Sequence, residues 1–481
     1  LRSGTYLLET FGCQMNVLDS ELVEVQLQNL GLRRAEGLRD ADIVLFNTCS
    51  VRQHAEDKVL SRVGKLKKVK QQRPELIVGV LGCMAERRRE TLFADFPHLD
   101  LICGPGELAR LPELVAEVRG RREQVAALAD PQQRRRGNDG EDDGLEGLDR
   151  ARCQQAAGPV LQAYVRVQRG CDKFCTYCVV PFVRGPERCR PPEAILHEVR
   201  SLAARGCREV TLLGQTVDSY VHRGPERTVR FAELLEQVHA VEGLDRIRFV
   251  TSYPADFDED IFRVMRDCPR IMPYLHIPAQ SGSDRMLQAM CRGYTVDAYV
   301  RLLDTARHYL PHISLAGDFI VGFCGETEED FQASIDLVRR AEYKSIFVFK
   351  YSPRPGTSAE RVKDDDVPPA VKARRNNELL AVQEEISRRL RTGLIGQTVE
   401  VLVEGPSKTA RKSQAADDAT PLLAGDPGRQ LVGRTPGDLI AVFDGEPEHV
   451  GAVVRVRVED ASPLTLFGSI ESIVSAARTP N

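Results

Sequence analysis

The stretch Arg169-Gly-Cys-Asp-Lys-Phe-Cys-Thr-Tyr-Cys178 sets Cys171, Cys175 and Cys178 in a C-x3-C-x2-C spacing. Three thiols this close converge on one soft metal centre more readily than they pair with one another. A fourth ligand is missing nearby. In an iron–sulfur cluster, an absent fourth thiolate leaves one iron open, and an open position is where a metal site does chemistry rather than holding a fold. A zinc knuckle or three buried free cysteines are the plainer alternatives. Zinc sites more often show two C-x2-C pairs, or a Cys pair with a His pair.

Such a loop needs a frame, and 481 residues are enough for about three domains. Hydrophobic content of 42% supports buried cores, and 28% charged residues is ordinary for a soluble chain. A net charge of −4 gives no global attraction to nucleic acid, so such contacts must rest on local patches. No apolar run approaches the roughly 18 residues of a membrane span, and no signal sequence is expected. Thirteen cysteines in a chain of this kind fit a reducing, cytoplasmic setting with metal ligation or catalysis as their use.

The first domain, placed at 3–120, reads as strands alternating with helices, hence a parallel sheet. Strands are expected at Thr5–Phe11, Ala41–Asn47, Leu76–Leu81 and Leu99–Cys103. Asp19 is expected to cap a helix over Ser20–Leu30, closed by Gly31. Further helices are expected to about Gln72 and Val118. Cys13, Cys49 and Cys83 each follow the last residues of a strand, 36 and 34 residues apart. In a parallel sheet those positions share one edge, where such folds bind ligands. Cys103 ends the fourth strand and could join them, or the cysteines could be unrelated loop residues. Lys58, Arg62, Lys65, Lys67, Lys68, Lys70 and Arg73 crowd the second helix, either as a solvated face or as a phosphate-contacting surface.

Residues 121–157 read as a mobile linker, with Arg134-Arg-Arg136 followed by an acidic run and few apolar residues. Six strands are then expected over 158–388: Val160–Gln168, Glu209–Leu213, Arg246–Thr251, Ile271–Ile277, Ser314–Val321 and Ser345–Tyr351. Helices, such as Glu193–Arg205 and Phe231–Val241, lie between them. Six βα units make a partial (β/α)6 barrel, with its chemistry at the C-terminal strand ends. The Cys171 loop follows the first strand. Gly214 and Gln215 follow the second strand, Gln280 and Ser281 follow the fourth, and Asp318 opens a segment spanning the fifth and its loop; glycine beside each lets the backbone approach a ligand. A charged helix at Ala373–Arg391 leads to a small β-barrel over 389–474, with runs at Thr398–Val403, Leu439–Phe443 and Val450–Val458, a central turn at Val432–Thr435, and an enlarged polar loop at Ser407–Arg429. Acidic residues outnumber basic ones here, so charge does not by itself argue RNA binding, and Lys408, Arg411, Lys412, Arg434, Arg455 and Arg457 are candidate contacts only.

These motifs together resemble the radical-SAM (S-adenosylmethionine) methylthiotransferases. The resemblance is carried by the Cys171–Cys178 loop, Gly12-Cys-Gln-Met-Asn16, Asn47-Thr-Cys-Ser-Val-Arg52, Gly82-Cys-Met-Ala85 and Tyr351-Ser-Pro-Arg-Pro-Gly-Thr357. The third domain resembles the RNA-binding TRAM domain. Thr216, Tyr253 and Cys324 depart from the family's usual Asn, His and Pro. The resemblance implies two [4Fe–4S] clusters, one on Cys171, Cys175 and Cys178 and an auxiliary one on Cys13, Cys49 and Cys83. It implies SAM at Gly214, Gln215, Gln280, Ser281 and Asp318, with no catalytic side chain beyond the cluster ligands. It implies reductive cleavage of SAM to methionine and a 5′-deoxyadenosyl radical, with auxiliary-cluster sulfur passed to C2 of adenosine 37 in a tRNA anticodon loop. An electron-donor protein such as a flavodoxin or ferredoxin is implied as partner. The same chemistry on threonylcarbamoyl-adenosine or a ribosomal protein, and a non-catalytic redox-sensing tRNA binder, are the competing readings.

Overall fold

The computed structural model describes residues 4–50, 53–121, 123–129, 144–155, 160–408, 410 and 429–477, with side chains omitted at 153–155. Arg52, Arg134–Arg136, Arg411 and Lys412 therefore lie outside the described residues, as does most of the Ser407–Arg429 loop.

The first domain is a parallel sheet in the order β2-β1-β3-β4-β5-β6. The strands are β1 Thr5–Phe11, β2 Arg33–Arg34, β3 Ile43–Thr48, β4 Ile77–Leu81, β5 Leu101–Cys103 and β6 Val125–Ala127. The apolar strands β3 and β4 are buried throughout, as a parallel sheet covered on both faces requires. Helix α1 spans Gln14–Asn29 and begins directly at Cys13, earlier than the expected Ser20. Asp19 is therefore inside the helix, where it pairs with an arginine instead of capping. Helix α2 spans Gln53–Gln72, α3 Cys83–Arg88, α4 Thr91–Asp95 and α5 Leu111–Arg121.

The expected mobile linker is corrected at both ends. Val125–Ala127 pairs in parallel with β5. Helix α6, Leu145–Gln155, carries buried charges whose partners are remote in sequence. Asp149 pairs with Arg166, and Arg152 with Glu21 and Glu198. Arg190 reaches Glu146 at 2.7 Å and Glu198 at 2.6 Å. The charges suggested a solvated linker; their pairing makes them a staple between the first two domains.

The central domain holds six parallel strands in two triplets. One contains β7 (Gln162–Arg166), β10 (Glu209–Leu213) and β13 (Arg246–Val250), with two short pairs, β8 (Gln168–Arg169) with β9 (Arg188–Cys189) and β11 (Val221–Arg223) with β12 (Thr228–Arg230), in its connections. The other contains β14 (Tyr274–His276), β15 (Ser314–Val321) and β16 (Ser345–Lys350). A bridge from Ile247 to Ile271 joins the triplets, giving the expected partial barrel. Val165, Val210, Leu212, Phe249, Leu275 and Phe319 share one core beneath the surrounding helices.

The long helix Pro369–Thr392 leads to a closed five-stranded barrel, β17-β18-β19-β21-β20. Its strands are Thr398–Pro406, Gln430–Arg434, Ile440–Asp444, Val453–Ala461 and Thr465–Ser475. The expected turn at Val432–Thr435 is instead mostly strand β18, and the turn follows it. A Cβ on Gly433 would overlap the Leu402 carbonyl, so close strand approach fixes that glycine. This small barrel stoppers the N-terminal end of the large one. Arg246 donates to the Arg434 carbonyl (2.6 Å), Arg248 to those of Thr435 (2.8 Å) and Pro436 (2.9 Å), and Lys344 pairs with Asp438. Among the described residues no helix is long and apolar enough to cross a membrane.

Candidate cluster sites and their relatives

Strands β1, β3 and β4 are neighbours, so the loops carrying Cys13, Cys49 and Cys83 leave one edge side by side. Gly12 has φ +123°, and a Cβ there would lie 2.8 Å from the Cys49 sulfur. That glycine is thus demanded by the approach of a second cysteine loop. The Asn16 amide donates to Asn47 Oδ1 (3.1 Å), while the Asn47 amide donates to the Asn16 carbonyl (2.9 Å) and Ser20 Oγ (3.0 Å). Gly82 sits against this pair, so the three loops share one lattice of contacts. Burial pushes the Cys83 thiol up to about 12; the Arg184 guanidinium opposes this, and Cys13, Asp19 and Cys49 add to it. Cys103 does not join the trio. It packs with Leu101, Leu111 and Leu114 in the core beneath the sheet.

The second trio is held as firmly. A side chain at Gly170, φ +74°, would overlap the Pro186 carbonyl. Cys171 N donates to the Gly185 carbonyl (3.2 Å), and Thr176 donates through N and Oγ1 to the carbonyls of Met290 and Ala289, each at 3.0 Å. Arg292 Nη1 donates to the Cys175 sulfur at 3.3 Å. Its guanidinium lies 4.5 Å from the Tyr253 ring centre and 5.2 Å from that of Tyr294. Tyr253, a departure from the family pattern, thus braces an arginine beside the cysteines. Burial raises Cys171 to about 11 and Cys178 to about 12. Such thiols stay protonated until a cation binds and inverts the balance. Among the described residues no three His, Cys, Asp or Glu groups close on a single metal ion. An iron–sulfur cluster does not need that convergence, because each thiolate holds a different iron.

The two trios meet at one seam. Val179, which precedes helix α7 (Val180–Val183), and Val183 within it pack on Cys83. Cys13 and Met15 pack with Leu213, Val250, Tyr164 and Tyr274 of the barrel. Arg184, at the end of α7, pairs with Asp19 at 2.6 Å.

The other candidates divide. Gln215 Oε1 and Ser252 Oγ are buried without a hydrogen-bond partner, polar atoms of the kind a ligand satisfies. A Cβ on Gly214 would lie 2.8 Å from Gln168 Oε1. Gln280, at φ +70°, exchanges backbone hydrogen bonds with the strand carrying Asp318. Ser281 Oγ instead accepts from Ser283 N (3.2 Å) and lies 3.4 Å from Ser334 Oγ. Asp318 Oδ1 is 3.2 Å from His276 Nε2. The basic run divides too: Lys58, Lys65, Lys67 and Lys68 are exposed, whereas Arg62 pairs with Glu9 and Lys70 with Asp100. Arg434 pairs with Asp438 (2.8 Å) and Glu404 (3.3 Å); Lys408, Arg455 and Arg457 are exposed. Sequence reading missed Arg184, Arg292 and Phe347, because lone arginines and aromatics carry no pattern.

Residues 5–104 match a family described as uncharacterized protein family UPF0004, residues 165–338 the radical SAM superfamily, and residues 424–470 the TRAM domain. The chain is 47% identical over 479 residues to a tRNA-2-methylthio-N(6)-dimethylallyladenosine synthase of Rhodopirellula baltica, covering 98% of this chain and 96% of the relative. It is 41% identical to the protein of that name from Carboxydothermus hydrogenoformans, covering 96% and 98%. Among solved structures, the radical S-adenosylmethionine methyltransferase TsrM of Kitasatospora setae superposes with a TM-score of 0.51 at 15% identity over 74% of each chain, a likeness of fold. With this identity running through all three domains, the chain belongs to the tRNA-2-methylthio-N(6)-dimethylallyladenosine synthase family.

Proposed function

We propose that the chain converts N6-(dimethylallyl)adenosine at position 37 of tRNA to its 2-methylthio derivative. The observation that carries this reading is the seam where Val179 and Val183, next to one cysteine trio, pack on Cys83 of the other. Cys171, Cys175 and Cys178 would hold the [4Fe–4S] cluster that binds SAM, and Cys13, Cys49 and Cys83 an auxiliary one. Bound there, the clusters and two SAM molecules supply the electron, the hydrogen-abstracting radical and the sulfur that an unactivated aromatic carbon requires.

The chain's own part is placement and charge. Gly214, Gln215, Gln280 and Ser281 are assigned to the SAM side, Gln215 on the strength of its unsatisfied amide oxygen, while the Asp318 carboxylate, also expected there, faces His276. Arg292 offsets negative charge at the Cys175 sulfur. The apolar seam excludes water from the space between the trios. The target base must leave its stack to reach that space, which an anticodon loop permits at low cost. The TRAM-type barrel, with exposed Lys408, Arg455 and Arg457, and exposed Lys58, Lys65, Lys67 and Lys68 of α2 supply phosphate contacts. An electron donor such as a flavodoxin or ferredoxin, in the cytoplasm, completes the cycle.

The test is anaerobic incubation of the reconstituted protein with SAM, dithionite and an anticodon stem-loop bearing N6-(dimethylallyl)adenosine. Mass spectrometry of the digested nucleosides should show the 2-methylthio product. Product only on a threonylcarbamoyl substrate, or none on either, overturns the reading.

A further inference from the structure

Strands β14, β15 and β16 alternate their side chains between helices and lumen. Leu275, Leu315, Phe319 and Ile346 face the helices, in the main core. His276, Asp318 and Phe347 therefore face inward from three adjacent strands. Asp318 and Phe347 are register partners, and His276 Nε2 reaches Asp318 Oδ1 at 3.2 Å. The His276 and Phe347 rings lie 6.4 Å apart at 73°. Phe347 is 48% exposed on the edge strand of its triplet, where the partial barrel is open.

The inward residues flanking this row border clusters that the two cysteine loops also border. Toward one, Ile320, two residues beyond Asp318 on the same face, and Tyr177 of the Cys171 loop pack against the same cluster of Met290, Phe323 and Tyr351. Toward the other, Tyr274, two residues before His276, packs against the cluster of Met15, Leu18, Leu213 and Val250, which Cys13 also borders. Below, Lys344 and Arg248 lie over the Tyr274 ring and hold the stopper of the small barrel, closing the floor. An exposed aromatic face beside a fixed imidazole, at a lateral opening, has the chemistry of a nucleobase seat.

We propose that Phe347 and His276 form the seat for the target base, a purine bearing an apolar group on N6. The assignment rests on the proposed reaction and deepens it. Phe347 stacks on the base or its N6 substituent. Asp318 acts through His276: accepting from Nε2–H, it leaves Nδ1 as an acceptor for the single N6–H that an alkylated adenine keeps.

The experiment compares Phe347→Ala, Phe347→Tyr and His276→Ala in the cluster-loaded full chain, on stem-loops with prenylated or plain adenosine 37. Phe347→Ala should raise the KM for the prenylated stem-loop about tenfold or more, with a smaller change in kcat, as loss of a stacking face does. Phe347→Tyr should restore it, and His276→Ala should erase the preference for prenylated over plain RNA. Iron content confirms that each variant is loaded. Wild-type KM in both alanine variants, or Tyr failing as badly as Ala at 347, overturns the seat. A wild-type protein that forms no methylthio product overturns the reaction instead. The seat is then read by stem-loop anisotropy: a wild-type preference for prenylated RNA lost in Phe347→Ala upholds it, and equal affinity of wild type for both stem-loops overturns it.

Discussion

Arg184 Nη2 lies 2.6 Å from Asp19 Oδ2 across the junction of the first two domains, with both side chains nearly closed to solvent. The same guanidinium is felt electrostatically by Cys83 and Cys13. One ion pair therefore locks the domains together and sets positive charge beside a thiol trio.

Removing either partner leaves a buried charge unpaired, which costs about 3–5 kcal/mol. Arg184→Ala and Asp19→Ala should each lower the chemical-denaturation midpoint substantially. The double variant should cost less than the sum of the two, the mark of direct coupling. Arg184→Ala should also lose iron selectively from the Cys13, Cys49 and Cys83 site. Additive destabilisation with full iron content would contradict this assignment.

The two trios should be separable by replacement. Cys13, Cys49 and Cys83 changed together to Ala should leave about half the wild-type iron, assuming equal clusters. That variant should still form 5′-deoxyadenosine from SAM without methylthio product. The Cys171, Cys175 and Cys178 triple variant should keep the other half and make no 5′-deoxyadenosine. Iron, sulfide and 5′-deoxyadenosine assays on both proteins decide the matter.

Gly12 is the tightest glycine of the first cysteine loop, at φ +123° with Cys49 2.8 Å from any added Cβ. Gly12→Ala combines backbone strain of about 1–3 kcal/mol with displacement of a sulfur. It should therefore lower auxiliary iron content while leaving the Cys171 trio loaded. Gly31, whose φ is also positive but whose surroundings are open, is the control. Gly31→Ala should cost only stability.

Features written in local pattern were legible from sequence. β1, β10 and β15 fall where alternation and turn residues place them, and the cysteines at the ends of β1, β3 and β4 converge as parallel-sheet geometry requires. Features that depend on remote partners were not. Asp149 and Arg152 suggest solvated charge until Arg166, Glu198 and Glu21 are seen around them. Asp19 resembles a helix cap because its true partner lies 165 residues away. Thr465–Ser475 was missed because its polar alternation and Gly468 weaken the strand signal, while pairing with two neighbours supplies what propensity lacks.

Asp330 gives an acid-dependent test away from the clusters. Burial alone would raise its carboxyl, but bonds from Arg285, Ser283 and Thr327 outweigh that and hold it at about 2, below the ordinary 3.8. It closes a capping box with Thr327 on the helix Glu328–Ala341. Because the folded value is depressed, the stabilisation is fully present above about pH 4 and is lost as pH falls toward 2. The side chain of Arg285 is 55% exposed, so solvent screens part of the pair and about 1 kcal/mol remains. Asp330→Asn should therefore lower the urea midpoint of the cluster-free chain at pH 6. The gap to wild type should narrow steadily as pH falls from 4 toward 2. A gap of constant size across that range would mean that the loss came from packing or the cap geometry rather than from the carboxylate's charge.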